Sequence, residues 1–339
     1  MTELRPATSD AIELAAAIVR AGGLVAFPTE TVYGLGADAA SAKAVARIFE
    51  AKQRALNDPL IVHVEPDRWS TVADAGRLTP DQRTRVDRLA KAFWPGPLTL
   101  VLPKRAHIPA LLSAGLDTVA VRVPDHPIAQ ALIARSGCAI AAPSANRFGH
   151  VSPTTAAHVL ADLDGRIDWV LDGGPTRIGV ESTVLSLLHD PPRVLRPGGV
   201  TLEMLRLAGI AAVAQQATTH TGDAQPAPGM LASHYAPRAA VEILADIDQL
   251  LARHEAHLNA GRRCGLLITN TQHAQCAGRH PQFVMGESID DIARALYAGL
   301  RALDDSGVDV ILVTQVQPDG LGLAIRDRLA RAAARRADG

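Results

Sequence analysis

The chain is predicted to be an α/β protein in two domains, and three observations carry that prediction. Short apolar runs alternate with segments whose apolar residues recur every three or four positions, the pattern of strands separated by helices. From Gln215 to Gly229 the periodicity vanishes and Ala, Gln, Thr, Gly and Pro dominate, as in a linker. With 339 residues and 47% hydrophobic content, the chain is long enough to fill two cores. The expected boundaries are a first domain over 1–210, a linker over 211–237 and a second, smaller domain over 238–339.

Thr8-Ser9-Asp10 marks a helix start, with Glu13 as capping-box partner of Asp10, and Gly22-Gly23 its end. Leu24 to Phe27 is a buried strand that breaks at Pro28 into a hydroxyl-rich turn containing Gly34 and Gly36. Ser41 opens a second helix, whose last turn carries Lys52 and Arg54, where cations suit the helix dipole. After Asn57-Asp58-Pro59 comes a strand from Leu60 to Val64. A helix starts at Thr79-Pro80-Asp81, and strands follow at Leu98–Leu102 and Val119–Val123. Alternation in the latter puts Thr118, Ala120 and Arg122 on one face and valines on the other. A helix from His126-Pro127, a strand from Cys138 to Ala142, and a helix capped by Ser152-Pro153-Thr154 come next. Strands at Trp169–Leu171, Thr183–Leu188 and Arg193–Leu195 and a helix from Leu202 to Leu207 complete the domain. Beyond the linker, strands at Val241–Leu244, Gly265–Thr269, Gln282–Met285 and Val308–Val313 alternate with helices, giving a small, mostly parallel, Rossmann-like sheet.

Bulk properties narrow the function. Net charge is −1, which argues against broad nucleic-acid binding but leaves room for a local cationic pocket. Cys138, Cys264 and Cys276 are too dispersed for a CxxC site or a disulfide framework. No secretory signal and no membrane-length apolar run is evident, so a cytoplasmic location is expected. Gly34-x-Gly36 lacks the third glycine of a dinucleotide fingerprint, and no P-loop motif occurs. His254 and His257 are read as a solvated helix face, not a metal pair. Arg326, Arg328, Arg331, Arg335 and Arg336 are read as exposed helix residues in preference to an RNA contact.

Lys52, Arg54, Arg122 and Arg196 each sit at the end of an element beside a break. Four cations converging without matching carboxylates make a site for a polyanion, most naturally a nucleoside triphosphate. They are expected beyond the carboxyl ends of the strands, where open α/β sheets bind ligands. The hydroxyls of Thr31, Thr118, Ser144, Ser152 and Ser182 suit phosphate or a small polar substrate; for each, a turn or cap is the bland alternative.

Pro28-Thr29-Glu30-Thr31-Val32-Tyr33-Gly34-Leu35, Lys52-x-Arg54, Pro59 to His63, Ala142-Pro143-Ser144-Ala145-Asn146 and Glu181-Ser182-Thr183-Val184 resemble the YrdC-like domain of threonylcarbamoyl-AMP synthases. Pro228-Gly229-Met230 with His234-Tyr235-Ala236-Pro237 resembles the linker of the long, two-domain members, and Gly320 to Ile325 their second domain. The resemblance implies a YrdC-like twisted mixed sheet with helices, followed by the smaller Rossmann-like unit. It implies a nucleotidyltransferase that makes L-threonylcarbamoyl-AMP and pyrophosphate from ATP, L-threonine and bicarbonate or CO2. A tRNA threonylcarbamoyl-transferase complex then modifies adenosine next to the anticodon. Carried over by position, the threonine contacts are Thr31, His63, Arg122, the backbone at Ala142, and Ser182. The ATP contacts are Arg54, Asp58, Thr118, Ser144, Ser152, Arg196 and Tyr235, with Asn146 added. Lys52 and Arg54 are the implied catalytic cations, and Mg2+ accompanies ATP.

The chemistry suits these residue types. Threonine's amine and CO2 give a carbamate, whose oxygen displaces pyrophosphate from the α-phosphate; positioning and charge neutralisation matter more than a covalent nucleophile. Arg122 would hold the threonine carboxylate, and a closing linker carrying Tyr235 would exclude water. The chain departs from the family pattern at Ala55, where proline is common, and at Asp58, where asparagine or histidine is common. A carboxylate there repels triphosphate unless it binds Mg2+ or points away. Arg54→Ala is expected to abolish activity without unfolding. The competing functions are a non-catalytic double-stranded RNA or tRNA-binding module, against which the neutral charge counts, and a hydrogenase-maturation carbamoyl-transfer domain, whose accompanying zinc-finger and acylphosphatase segments do not occur here.

Overall fold

Apolar alternation along the strands builds the first unit, because each strand can bury both faces only inside a covered sheet. In this computed structural model, which describes residues 1–215, 224–230 and 235–334, the chain forms two compact units. The strands of the first unit are β1 (Glu3–Pro6), β2 (Val25–Phe27), β3 (Gly34–Asp38), β4 (Ile61–His63), β5 (Leu98–Pro103), β6 (Thr118–Arg122), β7 (Ile140–Ala141), β8 (Trp169–Asp172), β9 (Thr183–Ser186), β10 (Arg193–Arg196) and β11 (Val213–Ala214). Its helices are α1 (Ser9–Arg20), α2 (Ala42–Lys52), α3 (Pro80–Phe93), α4 (Pro127–Ser136), α5 (Ala156–Leu163) and α6 (Leu202–Leu207). The strands make one mixed sheet in the order β1-β8-β2-β3-β7-β4-β6-β5-β9-β10-β11.

The two faces of this sheet differ. On one, Leu35, Val62, Leu100, Val121 and Leu185 meet Val45 and Ile48 of α2, Val86 and Leu89 of α3 and Val159 of α5 in the main core. On the other, α1 and α4 cover only one end, packing on Val25, Phe27, Ile140, Ala142 and Leu171. Farther along, Ile61, Val101, Ala120, Val184 and Leu195 are covered by Ala227 and Met230, which come from the region expected to be a linker. A polar row lies between these two apolar ends.

Several sequence expectations are corrected. Thr8, not Asp10, caps α1, accepting from the Ala11 amide. The turn after Pro28 contains a strand, β3, whose Gly36 is required by packing: a Cβ there would lie 2.7 Å from the Phe27 ring and 2.9 Å from Ile140. Thr155, not Ser152, caps α5, which starts later than expected. Tight capping was legible at α2 and α3, where Ser41 accepts from Ala44 and Thr79 forms a full capping box with Gln82.

The second unit is a four-stranded parallel sheet in the order β12-β15-β13-β14, formed by β12 (Ala240–Leu244), β13 (Cys264–Ile268), β14 (Gln282–Val284) and β15 (Val310–Thr314). Between and after the strands run α7 (Ile247–Asn259), α8 (Asn270–His273), α9 (Ile289–Asp305) and α10 (Gly322–Ala333). Gly149–Val151 and Ile178–Val180 cluster with this unit. His254 and His257 are buried, not solvated; the His257 ring lies 3.0 Å from Glu242, which also pairs with Arg253. Arg328 is likewise buried, beside Asp327 and over the Tyr235 ring, so it is no part of an exposed basic face. Arg326 is exposed; Arg335 and Arg336 lie outside the described residues. Among the described residues no helix is long and apolar enough to cross a membrane.

Candidate active site

Strand register builds the polar row. His63 on β4 stands beside Arg122 on β6, and Arg122 stands beside Thr99 on β5. Partners in register share a face, as do residues two apart on a strand. His63, Arg122 and Thr99 therefore continue the face that carries Ile61, Ala120 and Val101. Ser182, just before β9, shares its hydroxyl with Thr99 at 2.8 Å. Arg196 at the end of β10 donates to the Ser182 carbonyl at 2.9 Å and to its hydroxyl at 3.3 Å. His63, Arg122 and Arg196 are the last residues of β4, β6 and β10, so the row lies at the carboxyl ends of these three strands, where the open-sheet rule expects a ligand, while Thr99 and Ser182 join it from the amino ends of β5 and β9.

Two of the four cations have carboxylate partners, which corrects the expectation of unmatched charge. Arg122 Nη2 lies 2.7 Å from Glu30 Oε1, with both side chains buried. Arg54 Nη2 lies 2.8 Å from Asp58 Oδ2, and its guanidinium also donates to the carbonyls of Asp58 and Pro59. Asp58 therefore points at Arg54. Burial pushes its carboxyl above the usual range, while Arg54, the Gly229 amide, Lys52 and Arg196 act in the opposite direction. Lys52 is buried, and its ammonium donates to the Ser144 carbonyl at 2.5 Å and to the Asn146 carbonyl. Burial, helped by the Arg54 charge, pulls its pKa well down. In this structure Lys52 braces the Ser144–Asn146 turn.

That turn is stitched to the opening motif: Leu35 and Ala145 amides donate to Pro143 and Tyr33 carbonyls, and Gly34 bridges Ser144. Ala142 is buried on the same side, its amide bonded to Ile61. Thr31 bonds the Thr29 hydroxyl at 2.8 Å. His63 is buried, with neither ring nitrogen hydrogen-bonded among the described residues. Burial and then the Arg122 charge push its pKa far down, so the ring is neutral. Ser152 donates to Glu181 at 2.6 Å. Thr118 begins β6 on the same face as Arg122, at the other end of the strand.

The 224–230 segment crosses this face. Gln225 donates to the Asn57 carbonyl at 2.9 Å, and Arg196 Nη1 donates to the Pro228 carbonyl at 3.2 Å. Tyr235 belongs to the second unit, where it stacks on Tyr297 at 5.7 Å; His234 lies outside the described residues. Sequence reasoning assigned no role to Glu30, Thr99 or Glu181. Glu30 carried a usable signal, a carboxylate set between hydroxyls in an otherwise apolar stretch; Thr99 was hidden in an apolar run.

A family model described as telomere recombination matches residues 17–198, and one described as threonylcarbamoyl-AMP synthase, C-terminal domain, matches residues 200–334. Similar proteins include the threonylcarbamoyl-AMP synthases of Pyrococcus abyssi, 44% identical over 95% of this chain and 93% of the relative, and of Bacillus subtilis, 43% identical over 95% and 92%. The crystal structure of Pyrococcus abyssi Sua5 complexed with L-threonine matches with a TM-score of 0.88 and 42% identity, covering 98% of this chain and 97% of that one.

Proposed function

The chain belongs to the threonylcarbamoyl-AMP synthase family, in its two-domain form, and from that premise we propose that it joins L-threonine, CO2 or bicarbonate, and ATP into L-threonylcarbamoyl-AMP, releasing pyrophosphate. The adduct would supply a partner complex that modifies tRNA adenosine beside the anticodon. The observation that carries this reading is the row His63–Arg122–Thr99–Ser182 on one sheet face, flanked by Arg196 and Arg54.

In the proposed mechanism Arg122 holds the threonine carboxylate, with Thr31, Ser182, the Ala142 backbone and the neutral His63 ring around the rest of the molecule. The amine nitrogen bonds to the CO2 carbon, losing two protons overall from the ammonium form. The resulting carbamate oxygen attacks the α-phosphate, and the bond to pyrophosphate breaks. Arg196 and Arg54 neutralise the triphosphate, which would replace the Pro228 carbonyl on Arg196. Ser144, Asn146, Ser152 and Thr118 are the further nucleotide contacts proposed, and Lys52 holds the Ser144–Asn146 turn in place. Asp58 acts as the counter-ion of Arg54. Among the described residues there is no group of three His, Cys, Asp or Glu that could hold a metal. Mg2+ is proposed only as the companion of ATP. Met230 and Ala227 keep water from the face while the carbamate forms.

Purified protein supplied with ATP, Mg2+, bicarbonate and L-threonine should release pyrophosphate and form an AMP adduct only when threonine is present. Folded protein that yields neither at saturating substrate sinks the proposal and leaves a non-catalytic binding role.

A further inference from the structure

The proposed reaction gives Arg122 a task and leaves its partner without one. Glu30 is 1% exposed, and Arg122 is 3% exposed. Apart from the ion contact, neither Glu30 oxygen has a hydrogen-bond partner among the described residues, and Arg122 Nη2 has none either. The neighbouring hydroxyls do not supply one: Thr29 bonds Thr31 and the Val32 carbonyl. Arg122 Nε is held by the Gly96 carbonyl at 3.3 Å. A buried carboxylate offers about four lone-pair sites and pays heavily for leaving them empty. A buried ion pair of this kind adds little to stability over an apolar pair of similar volume. Retaining both charges in so dry a place therefore points to a ligand.

Resting on the synthase reading, we propose that Glu30 and Arg122 form a joint receptor for a zwitterionic α-amino acid, Arg122 taking the α-carboxylate and Glu30 the α-ammonium. The charges fit. The pair sums to zero, a zwitterion sums to zero, and the neutral His63 ring adds nothing, so binding buries no net charge. Each charge of the ligand meets its opposite, and the orphaned oxygens of Glu30 gain the N–H donors they lack. A 2-hydroxy acid of the same shape brings an unmatched anion against Glu30 and is rejected. Glu30 thereby sets the selectivity for an amino acid over its hydroxy analogue.

Calorimetric titration of the full chain with L-threonine, and with 2,3-dihydroxybutanoate in which a hydroxyl replaces the amine, tests the receptor. The wild type should prefer threonine by at least about 30-fold. Glu30→Gln should weaken threonine at least about tenfold and bind the hydroxy acid as well as or better than the wild type, so that the preference collapses. If Glu30→Gln weakens both ligands equally, Glu30 merely props Arg122 and the receptor is overturned; unchanged threonine binding overturns it too. Glu30→Asp keeps the charge and should keep the preference for threonine, an arm that stands if the Gln variant does not fold. A wild type that shows the preference but makes no adduct loses the synthase reading and keeps the receptor. One that makes adduct while Glu30→Gln retains the preference keeps the synthase and loses the receptor. Folded wild type that does not bind threonine overturns both.

Discussion

Arg54 lies 2.8 Å from a carboxylate that is fully buried, so truncating it does more than remove a cation. Breaking a buried pair by deleting one partner costs about 3–5 kcal/mol. Arg54→Ala should therefore lower the melting temperature as well as activity, in contrast to the expectation from sequence that the fold would be spared. Asp58 can relieve part of the cost by taking a proton, since burial already raises its pKa. A raised carboxyl pKa gives stability that is lost as pH rises through it, so the variant should be hurt more at pH 8 than at pH 5. Adding Asp58→Asn should recover stability without recovering activity. Thermal unfolding at the two pH values checks this, and an unchanged melting temperature in Arg54→Ala refutes it. His63 runs the other way. Its pKa is pushed well below 6.5, so the stability it contributes is present above 6.5 and is lost as pH falls from 6.5 towards the folded value. His63→Gln should flatten the fall in melting temperature between pH 6.5 and 5. It should not abolish it, because His126, His189 and His254 are depressed too.

Elements meet backbone to backbone around the row, and glycine is what permits it. A Cβ on Gly198 would lie 2.3 Å from the Glu181 carbonyl oxygen and 2.4 Å from the Ser182 carbonyl carbon. Backbone cannot give way as a side chain can, so Gly198→Ala should displace the segment entering β9 and cost roughly 1–3 kcal/mol. Threonine affinity should fall with it, as Ser182 leaves Thr99; calorimetry and thermal unfolding measure both, and wild-type affinity in a folded variant counts against the argument. Local signals recovered most elements. The strand β3 escaped them because Gly34-Leu35-Gly36 has the composition of a turn, while its glycines answer to the Phe27 ring across the sheet. Ser152 looked like a cap because it precedes proline and threonine; its hydroxyl instead serves Glu181, 29 residues away.

At the scale of the molecule, the α/β class of both units was legible in the sequence, since alternation and helical period are local properties of a chain that must bury apolar surface. The parallel second sheet followed from alternating strands and helices for the same reason. The family that the motifs pointed to is the one the chain belongs to. What only the tertiary structure decided is how the site residues face one another. Register between strands far apart in sequence put His63, Arg122 and Thr99 in one row on a sheet face. Long-range pairing matched Arg122 with Glu30 across 92 positions of chain and aimed Lys52 at carbonyls, where composition alone suggested four unmatched cations. Charge pairing depends on distances of a few ångströms in the folded chain, and no local pattern encodes those.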